Sequence, residues 1–548
     1  MDYNYLADLL FPNVTMTEEE LEGKYPQRNL KEGAIVSRMA PSPTGFVHLG
    51  NLLQAVTAER LSHQSGGILF LRIEDTDQKR EVPGAVDILV NSVKHYNVNF
   101  DEGASADGEF GNYGPYRQRM REDIYHVYAK RLVREGKAYP CFCTEDELAK
   151  NHDIQEHLKE NFGYYGKWAI WRDRSIEDIE AALNEGKPWV LRFRSTGSIE
   201  NKIKFTDYIK GNLELTENDI DMVLLKSDGI PTYHFAHAVD DHLMRTTHVV
   251  RGDEWLSTLP FHIQLFQALG FKLPKYLHIG PLMKMDGDSK RKVSKRKDPE
   301  ASLTFYKEEG YPSQSLYEYI LTILNSNYED WRRMNPTSST DEFKFSYKKM
   351  NPAGSLFDEA KLNDVSKNVI SRMSAEQVFA LSSEWASEYD KEFYDEMVKD
   401  PEYSKSIFTI GRGGKKPRKD FTVWKDVRGY ADFFYDKFFE IKDYYPERFQ
   451  VSDIKKTLEE FIKAFDINDD MNTWFEKIKD IADMLGYASD MKAYKENPEA
   501  YRGNVSDISM FIRIAITGKE NSPDMYSVMQ ILGYDRVVER INNMIKSL

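Results

Sequence analysis

Apolar positions alternate between strand and helix spacing over the first two thirds of this chain and keep helix spacing over the last third. A short apolar run at 34–37 is followed by Leu49, Leu52, Leu53 and Val56, a stripe at helical spacing that stops at Gly66-Gly67. Ile68-Leu-Phe-Leu-Arg-Ile73 then reads as a second buried strand, which closes a strand–helix–strand unit whose crossover should be right-handed. A helical stretch at 116–134 and the segment 141–211 interrupt the alternation, which resumes at Met222-Val-Leu-Leu225. Strand-like Thr247-His-Val-Val250, a helix beginning near Trp255 and a strand-like segment at His278-Ile279 continue it. Beyond about Thr340 the strand signals fade, and amphipathic patterns such as Ile454, Leu458, Phe461 and Phe465 predict a helical bundle. Residues 1–32 precede the first core strand as an extension, with Thr17 and Glu20 spaced as a capping box for a short helix.

A chain of 548 residues is long enough for several domains. No run approaches the roughly 20 apolar residues needed to cross a bilayer, and residues 1–24 lack the basic start and apolar centre of an export signal. Cytoplasmic residence is expected, without a membrane role. The two cysteines, Cys141 and Cys143, are too close for an unstrained disulfide and too few for a disulfide framework, which fits a reducing compartment. The net charge of −15 does not exclude a nucleic-acid partner, because local patches bind RNA. Lys290, Arg291, Lys292, Lys295, Arg296 and Lys297 form one basic patch; Arg412, Lys415, Lys416, Arg418 and Lys419 form another.

Two short motifs carry the chemistry. Arg38-Met-Ala-Pro-Ser-Pro-Thr-Gly-Phe-Val-His-Leu-Gly-Asn51 leads from the first strand into the first helix, placing His48 and Gly50 where amides at a helix N-terminus meet phosphate. Lys292-Val-Ser-Lys-Arg296 supplies mobile cations. Together they read as two halves of an ATP site, and their wording resembles the class I aminoacyl-tRNA synthetases, closest to the glutamyl-tRNA synthetases. Asn51 stands where the signature has a second histidine and Arg296 where it has a final serine, and the glutamyl branch varies at both places. The resemblance continues through Arg72-Ile-Glu-Asp-Thr-Asp77, Gly114-Pro-Tyr-Arg-Gln118, Leu224-Leu-Lys-Ser-Asp-Gly229, Pro231-Thr-Tyr-His234, Val239-Asp-Asp-His-Leu243 and Val250-Arg-Gly-Asp-Glu-Trp255, and covers 34–300 well.

That resemblance implies an α/β Rossmann-like catalytic domain in two halves, 33–115 and 220–283, around an inserted α+β connective domain at 116–219 that holds the tRNA acceptor end. A stem-contact region at 284–372 would carry the Lys-Val-Ser-Lys-Arg loop, and an all-α anticodon-binding bundle would follow at 373–548. Arg513-Ile-Ala-Ile-Thr-Gly518 is similar to a segment of that bundle, and Arg412, Lys415, Lys416 and Arg418 are candidate tRNA contacts. The implied reaction is attack of the glutamate carboxylate on the α-phosphate of ATP, followed by transfer to tRNA(Glu) with release of AMP. Such chemistry rests on positioning and charge stabilisation rather than on a protein nucleophile. His48, Gly50, Lys292, Ser294 and Lys295 are the catalytic candidates; Thr44, Gly45, Asn51, Glu254 and Trp255 join His48 and Lys295 at ATP. Arg38, Ala40, Ser42, Glu74, Tyr233 and Arg251 are the glutamate candidates: arginine forks suit carboxylates, and Arg38 and Arg251 lie at strand ends. The resemblance puts Glu74 near the α-amino group and Tyr233 in the side-chain pocket. The ordinary alternative pairs either arginine with Asp75 or Glu254.

His234, His237, Asp240, Asp241 and His242 crowd one stretch, which the resemblance makes a pocket wall rather than a metal cluster; His237 falls where relatives often have Asn. Magnesium is expected with ATP, held by phosphates and water. Zinc is not expected, since 163–168 offers no ligand and His152 and His157 are five apart on a helix. The expected partners are tRNA(Glu), L-glutamate and ATP, and the expected state is a monomer. Four rivals stand against this reading, one of them a shortened relative that places glutamate on a modified tRNA base and lacks the anticodon region. The glutaminyl branch carries Pro-Glu-Pro-Asn in its first motif and ends in β-barrels. A small-molecule nucleotidylyltransferase or carboxylate-activating ligase could share the turn and the lysine loop, and a tRNA-binding paralogue could have lost catalysis.

Overall fold

The strand Val36–Met39 is buried along its whole length. It pairs in parallel with Ile68–Leu71, which pairs in parallel with Glu102–Ser105, and Gly108–Phe110 adds an antiparallel edge. On the other side of Val36–Met39, the Thr247 N–H donates to the Val36 carbonyl at 2.9 Å. This brings the parallel pair His248–Gly252 and Lys275–Ile279 alongside. The chain therefore winds outward in both directions from its first strand. The crevice at the reversal, between the carboxyl ends of Val36–Met39 and His248–Gly252, is where open α/β sheets gather ligands.

The computed structural model describes all residues except 44–46, 78–81, 106–107, 295 and 415. They fall into two units, one of Met1–Phe305 and Ile320–Asp358, the other of Tyr306–Tyr319 and Glu359–Leu548. In the first unit, helix Leu49–Gln64 makes the crossover between the first two strands. Leu49, Leu52, Leu53, Val56 and Leu61 are buried, each contributing about 1.5–3 kcal/mol. Glu59 and Arg60 are buried too, so the helix is enclosed rather than amphipathic. Its return to the sheet needs a glycine, since a Cβ on Gly67 would fall 1.9 Å from the Ile35 carbonyl oxygen.

Ala138–Cys141, Val190–Phe193 and Val223–Leu225 form a separate antiparallel sheet. The sequence reading has 222–225 resume the nucleotide fold; its strand instead completes this inserted sheet. A short apolar run looks the same whichever sheet receives it. The nucleotide fold resumes with helix Tyr233–Leu243. The inserted hairpin Lys202–Asp207 and Gly211–Thr216 returns to the main sheet, where the Tyr208 N–H donates to the Tyr276 carbonyl at 3.0 Å. Cys141 is buried and Cys143 half-buried, and both thiols lie 3.4 Å from the Tyr164 hydroxyl.

The N-terminal extension is a strap with its own core residues, Leu6, Leu10, Phe11, Leu21 and Tyr25. The Thr17–Glu20 capping box is present. Lys130 donates to the carbonyls of Phe11 and Val14, Glu18 pairs with Arg131, and Glu22 pairs with His242 and Arg245. Arg28 ends the strap in a bidentate pair with Glu102.

The second unit is helical. Helices Val451–Ala464, Met471–Met484, Val505–Thr517, Met525–Leu532 and Tyr534–Ser547 share a core that contains Ile454, Leu458, Phe461 and Phe465. Among the described residues, no helix is long and apolar enough to cross a membrane.

Candidate functional site

Both arginines proposed from sequence reach the crevice. Arg38, Met39, Ala40, Pro41, Asn51, Gln54, Glu74, Tyr233, Val250, Arg251 and Trp255 line one pocket there. Glu74 reaches it because the segment after Ile68–Leu71 runs beside the segment after Val36–Met39; the Glu74 N–H donates to the Pro41 carbonyl at 3.0 Å. The Trp255 ring lies against Tyr233, centroids 4.3 Å apart, and walls one side. Ser42 is exposed and lines neither recess.

The two arginines differ in how they are held. Arg38 Nε donates to Asp241 at 3.2 Å, and Arg72 Nη1 donates to the same carboxylate at 2.7 Å, so the counter-ion of Arg38 is Asp241 rather than Asp75. Burial pushes the Asp241 carboxyl up, but Arg38 and Arg72 outweigh it and hold the group well below the usual range. Among the described residues Arg251 meets only neutral acceptors: His278 Nε2 at 2.9 Å, His262 Nδ1 at 3.2 Å and the Tyr233 hydroxyl at 3.4 Å. Its Nη2 is buried with no hydrogen-bond partner among the described residues. A buried guanidinium with no carboxylate beside it among the described residues has the chemistry to pair with an anionic ligand. Glu74, half-buried and 3.3 Å from Arg72, is pushed up to about 7 by desolvation against the pull of Arg72 and Arg38. A bound ammonium would restore its charge.

A second recess, of about 230 Å³, brings the two motifs together: His48, Gly50, Glu254 and Lys292 line it, with Gly252, Gly280, Val293 and Ala301. Gln54 lines both recesses. His48 is the N-cap of helix Leu49–Gln64, where its Nδ1 accepts from the Asn51 N–H at 3.3 Å and the Asn51 side chain accepts from the His48 N–H. That use of Nδ1 fixes the imidazole proton on Nε2, a donor at a helix N-terminus. A Cβ on Gly50 would sit 3.0 Å from the His48 ring, so glycine there keeps the histidine in place. Lys292 ends strand Ser289–Lys292, which pairs antiparallel with Leu282–Asp286. The turn beyond it is anchored by Asp298, which accepts from the two terminal Arg291 nitrogens, Nη1 and Nη2, at 2.6 and 2.7 Å and from the Ser294 N–H at 2.7 Å. Thr44, Gly45 and Lys295 lie outside the described residues.

The crowded stretch 234–242 is a charge and hydrogen-bond network. Asp240 accepts from Gln118, Arg121 and Tyr125 at 2.7–2.9 Å. His242 pairs with Glu22, and His237 Nε2 meets the Tyr276 hydroxyl at 2.9 Å. Burial lowers His234 to about 4 and His237 to about 3, and pushes His262 and His278 down as well. Unfolding releases these groups toward the ordinary value near 6.5, so below that pH the unfolded chain binds more protons. Stability is therefore expected to be fully present above about pH 6.5 and to fall as pH drops toward 4. Each histidine adds up to about 1.4 kcal/mol per pH unit, which the thermal midpoint measured between pH 7.5 and 4.5 would record.

Comparison with known proteins decides the family. Residues 34–364 match the family described as tRNA synthetases class I (E and Q), catalytic domain, and residues 416–545 match the anticodon binding domain. A glutamate–tRNA ligase of Acetivibrio thermocellus is 49% identical over 546 residues, covering 100% of both chains. One from Clostridium perfringens is 48% identical, covering 99% of this chain and 100% of the relative. The chain belongs to the glutamate–tRNA ligase family. A crystal structure of a glutamate–tRNA ligase from Elizabethkingia meningosepticum, in complex with its amino acid, superposes with a TM-score of 0.74 at 27% identity, covering 94% of this chain and 99% of that one.

Within this glutamate–tRNA ligase family member, the helical unit holds a groove that spacing could not reveal. Arg418, Trp474, Phe475, Arg513, Asp524 and Met525 are among its lining residues, around about 510 Å³. Trp474 Nε1 and Arg513 Nε are buried with no hydrogen-bond partner among the described residues. The basic patch at 412–419 is divided in role. Arg412 donates to the carbonyls of Ile370 and Met373, Arg418 pairs with Asp420 and reaches the groove, Lys416 is exposed, and Lys415 lies outside the described residues. Sequence reading also missed Gln54, His262 and His278 as site residues, which touch the site from positions with no motif of their own, and it named Asp241 only as part of a pocket wall.

Proposed function

We propose that this chain joins L-glutamate to tRNA(Glu) in two steps through glutamyl-adenylate. The observation that carries the reading is the meeting of His48, Gly50 and Lys292 around one recess that shares the Gln54 wall with a pocket holding Arg38, Glu74 and Arg251. Arg38 and Arg251 receive the carboxylates of the amino acid, Glu74 its ammonium, and Tyr233 and Trp255 enclose its carbon chain. The nucleotide lies against His48 and Gly50. A glutamate carboxylate oxygen attacks the α-phosphorus and pyrophosphate leaves, with the His48 Nε2 proton and the Lys292 ammonium following the charge on the phosphate oxygens. The terminal ribose hydroxyl of tRNA then attacks the acyl carbon and AMP leaves. Magnesium arrives with the nucleotide on its phosphates.

The inserted sheet and its helices fit the acceptor end of tRNA, and the groove of Trp474 and Arg513 fits a nucleobase, stacked on the aromatic face and hydrogen-bonded by the unpaired nitrogens. The protein is read as a cytoplasmic monomer. ATP–pyrophosphate exchange with glutamate or glutamine, each with and without total tRNA, tests the reading. Exchange that needs both glutamate and tRNA supports it. Exchange without tRNA points to a small-molecule adenylating enzyme, and none under any condition to a binding paralogue.

A further inference from the structure

Arg251 is set by a chain of bonds that begins in the inserted segment. Its Nε donates to His278 Nε2 at 2.9 Å, so that nitrogen carries no proton. The ring proton is therefore on Nδ1, which faces Asp207 Oδ2 at 2.7 Å. Asp207 is itself fixed: it is 1% exposed and accepts from the backbone N–H of Ile209 at 2.9 Å, Lys210 at 2.7 Å and His278 at 3.2 Å. The Tyr276 ring lies beneath the guanidinium, 4.8 Å from its centre, and stacks parallel to the His278 ring. We infer that Asp207 and His278 are a positioning pair that aims the Arg251 guanidinium at a substrate carboxylate.

The placing of the imidazole between the two charges has a chemical purpose. A carboxylate directly on Arg251 would orient it equally well but would neutralise it and compete with the ligand. A neutral imidazole directs the fork while leaving the positive charge uncompensated, and the carboxylate behind it fixes the tautomer. His262 adds a second neutral acceptor at 3.2 Å, and Nη2 is left without a protein partner among the described residues. Asp207 ends the inserted strand Lys202–Asp207, so a segment outside the two halves of the nucleotide fold takes part in amino-acid selection. This inference rests on the reading of Arg251 as a carboxylate receptor.

Kinetics of the full-length protein in tRNA-dependent exchange test it, with glutamate KM, ATP KM and kcat measured for Arg251→Gln, His278→Leu and His278→Gln. The loss of a hydrogen bond to a charged group predicts that His278→Leu raises glutamate KM by about 10- to 100-fold and leaves ATP KM within about 3-fold. His278→Gln, whose side-chain carbonyl accepts from Arg251, should recover most of that loss. If Arg251→Gln raises glutamate KM and His278→Leu does not, the positioning role is overturned while Arg251 keeps its assignment. If Arg251→Gln leaves glutamate KM unchanged, the reading of Arg251 falls and the positioning role with it. Should His278→Leu fail to fold by circular dichroism, Asp207→Asn takes its place; a glutamate KM raised by about 5-fold or more supports the pair, and an unchanged one overturns it.

Discussion

Replacing Arg251 by glutamine is expected to raise the KM for glutamate by about 10²–10³-fold, with ATP KM within a few-fold of wild type. The size follows from the environment. The guanidinium is 3% exposed and has no carboxylate at ion-pair distance among the described residues, so the incoming carboxylate is its first full counter-charge. Removing one partner of a buried charge pair leaves the other desolvated and unpaired, which costs about 2–5 kcal/mol, so the glutamine variant strands the ligand's charge. The same change at Arg38 leaves Asp241 still paired with Arg72 at 2.7 Å, so the effect there should be the smaller of the two. Steady-state exchange at varied glutamate and saturating ATP checks both.

The second large effect should appear at Lys292. Lys292→Met is expected to lower kcat for exchange by about 10²–10³-fold, with glutamate KM little changed, because the ammonium acts on charge that develops as pyrophosphate departs. Lys292 is exposed on the last residue of its strand, so the substitution removes charge without opening a cavity in the core. An unchanged kcat would remove Lys292 from the chemistry.

How much of this could be read in advance depended on whether the signal was local. The turn at His48 and the segment beginning at Lys292 are contiguous motifs, and the convergence of His48 and Lys292 on one recess was legible because each half has its own wording. The strands at 36, 68 and 248 were legible from the apolar residues at 34–36, 68–71 and 249–250, whereas the strand at 275 showed only in its last residues, His278-Ile279. Val223–Leu225 has that same pattern, and only its hydrogen bonds to Val190–Phe193 reveal which sheet it joins. The pairing of Arg38 with Asp241 spans 203 residues and that of His278 with Asp207 spans 71, distances over which spacing carries no information. The histidine-rich stretch, which the resemblance makes a pocket wall rather than a metal cluster, owes its charge network to burial and to arginines distant in sequence, and neither shows in its own residues.

The N-terminal strap has a consequence for the order in which the protein is made. Glu22 meets a partner 220 residues away at His242, and the Arg28 guanidinium donates to the Met244 carbonyl across 216 residues. The apolar side of the strap, however, rests on helix Glu122–Arg134, where Lys130 holds the Phe11 and Val14 carbonyls and Arg131 pairs with Glu18, while the Tyr25 hydroxyl donates to the Gly114 carbonyl. The strap can therefore dock in two stages, first on that helix and later, through Glu22 and Arg28, on helix Tyr233–Leu243 and the residue after it. Nascent chains halted before about residue 135 should present Leu6, Leu21 and Tyr25 to chaperones and proteases, and chains halted between there and about residue 245 should hold them half-fastened.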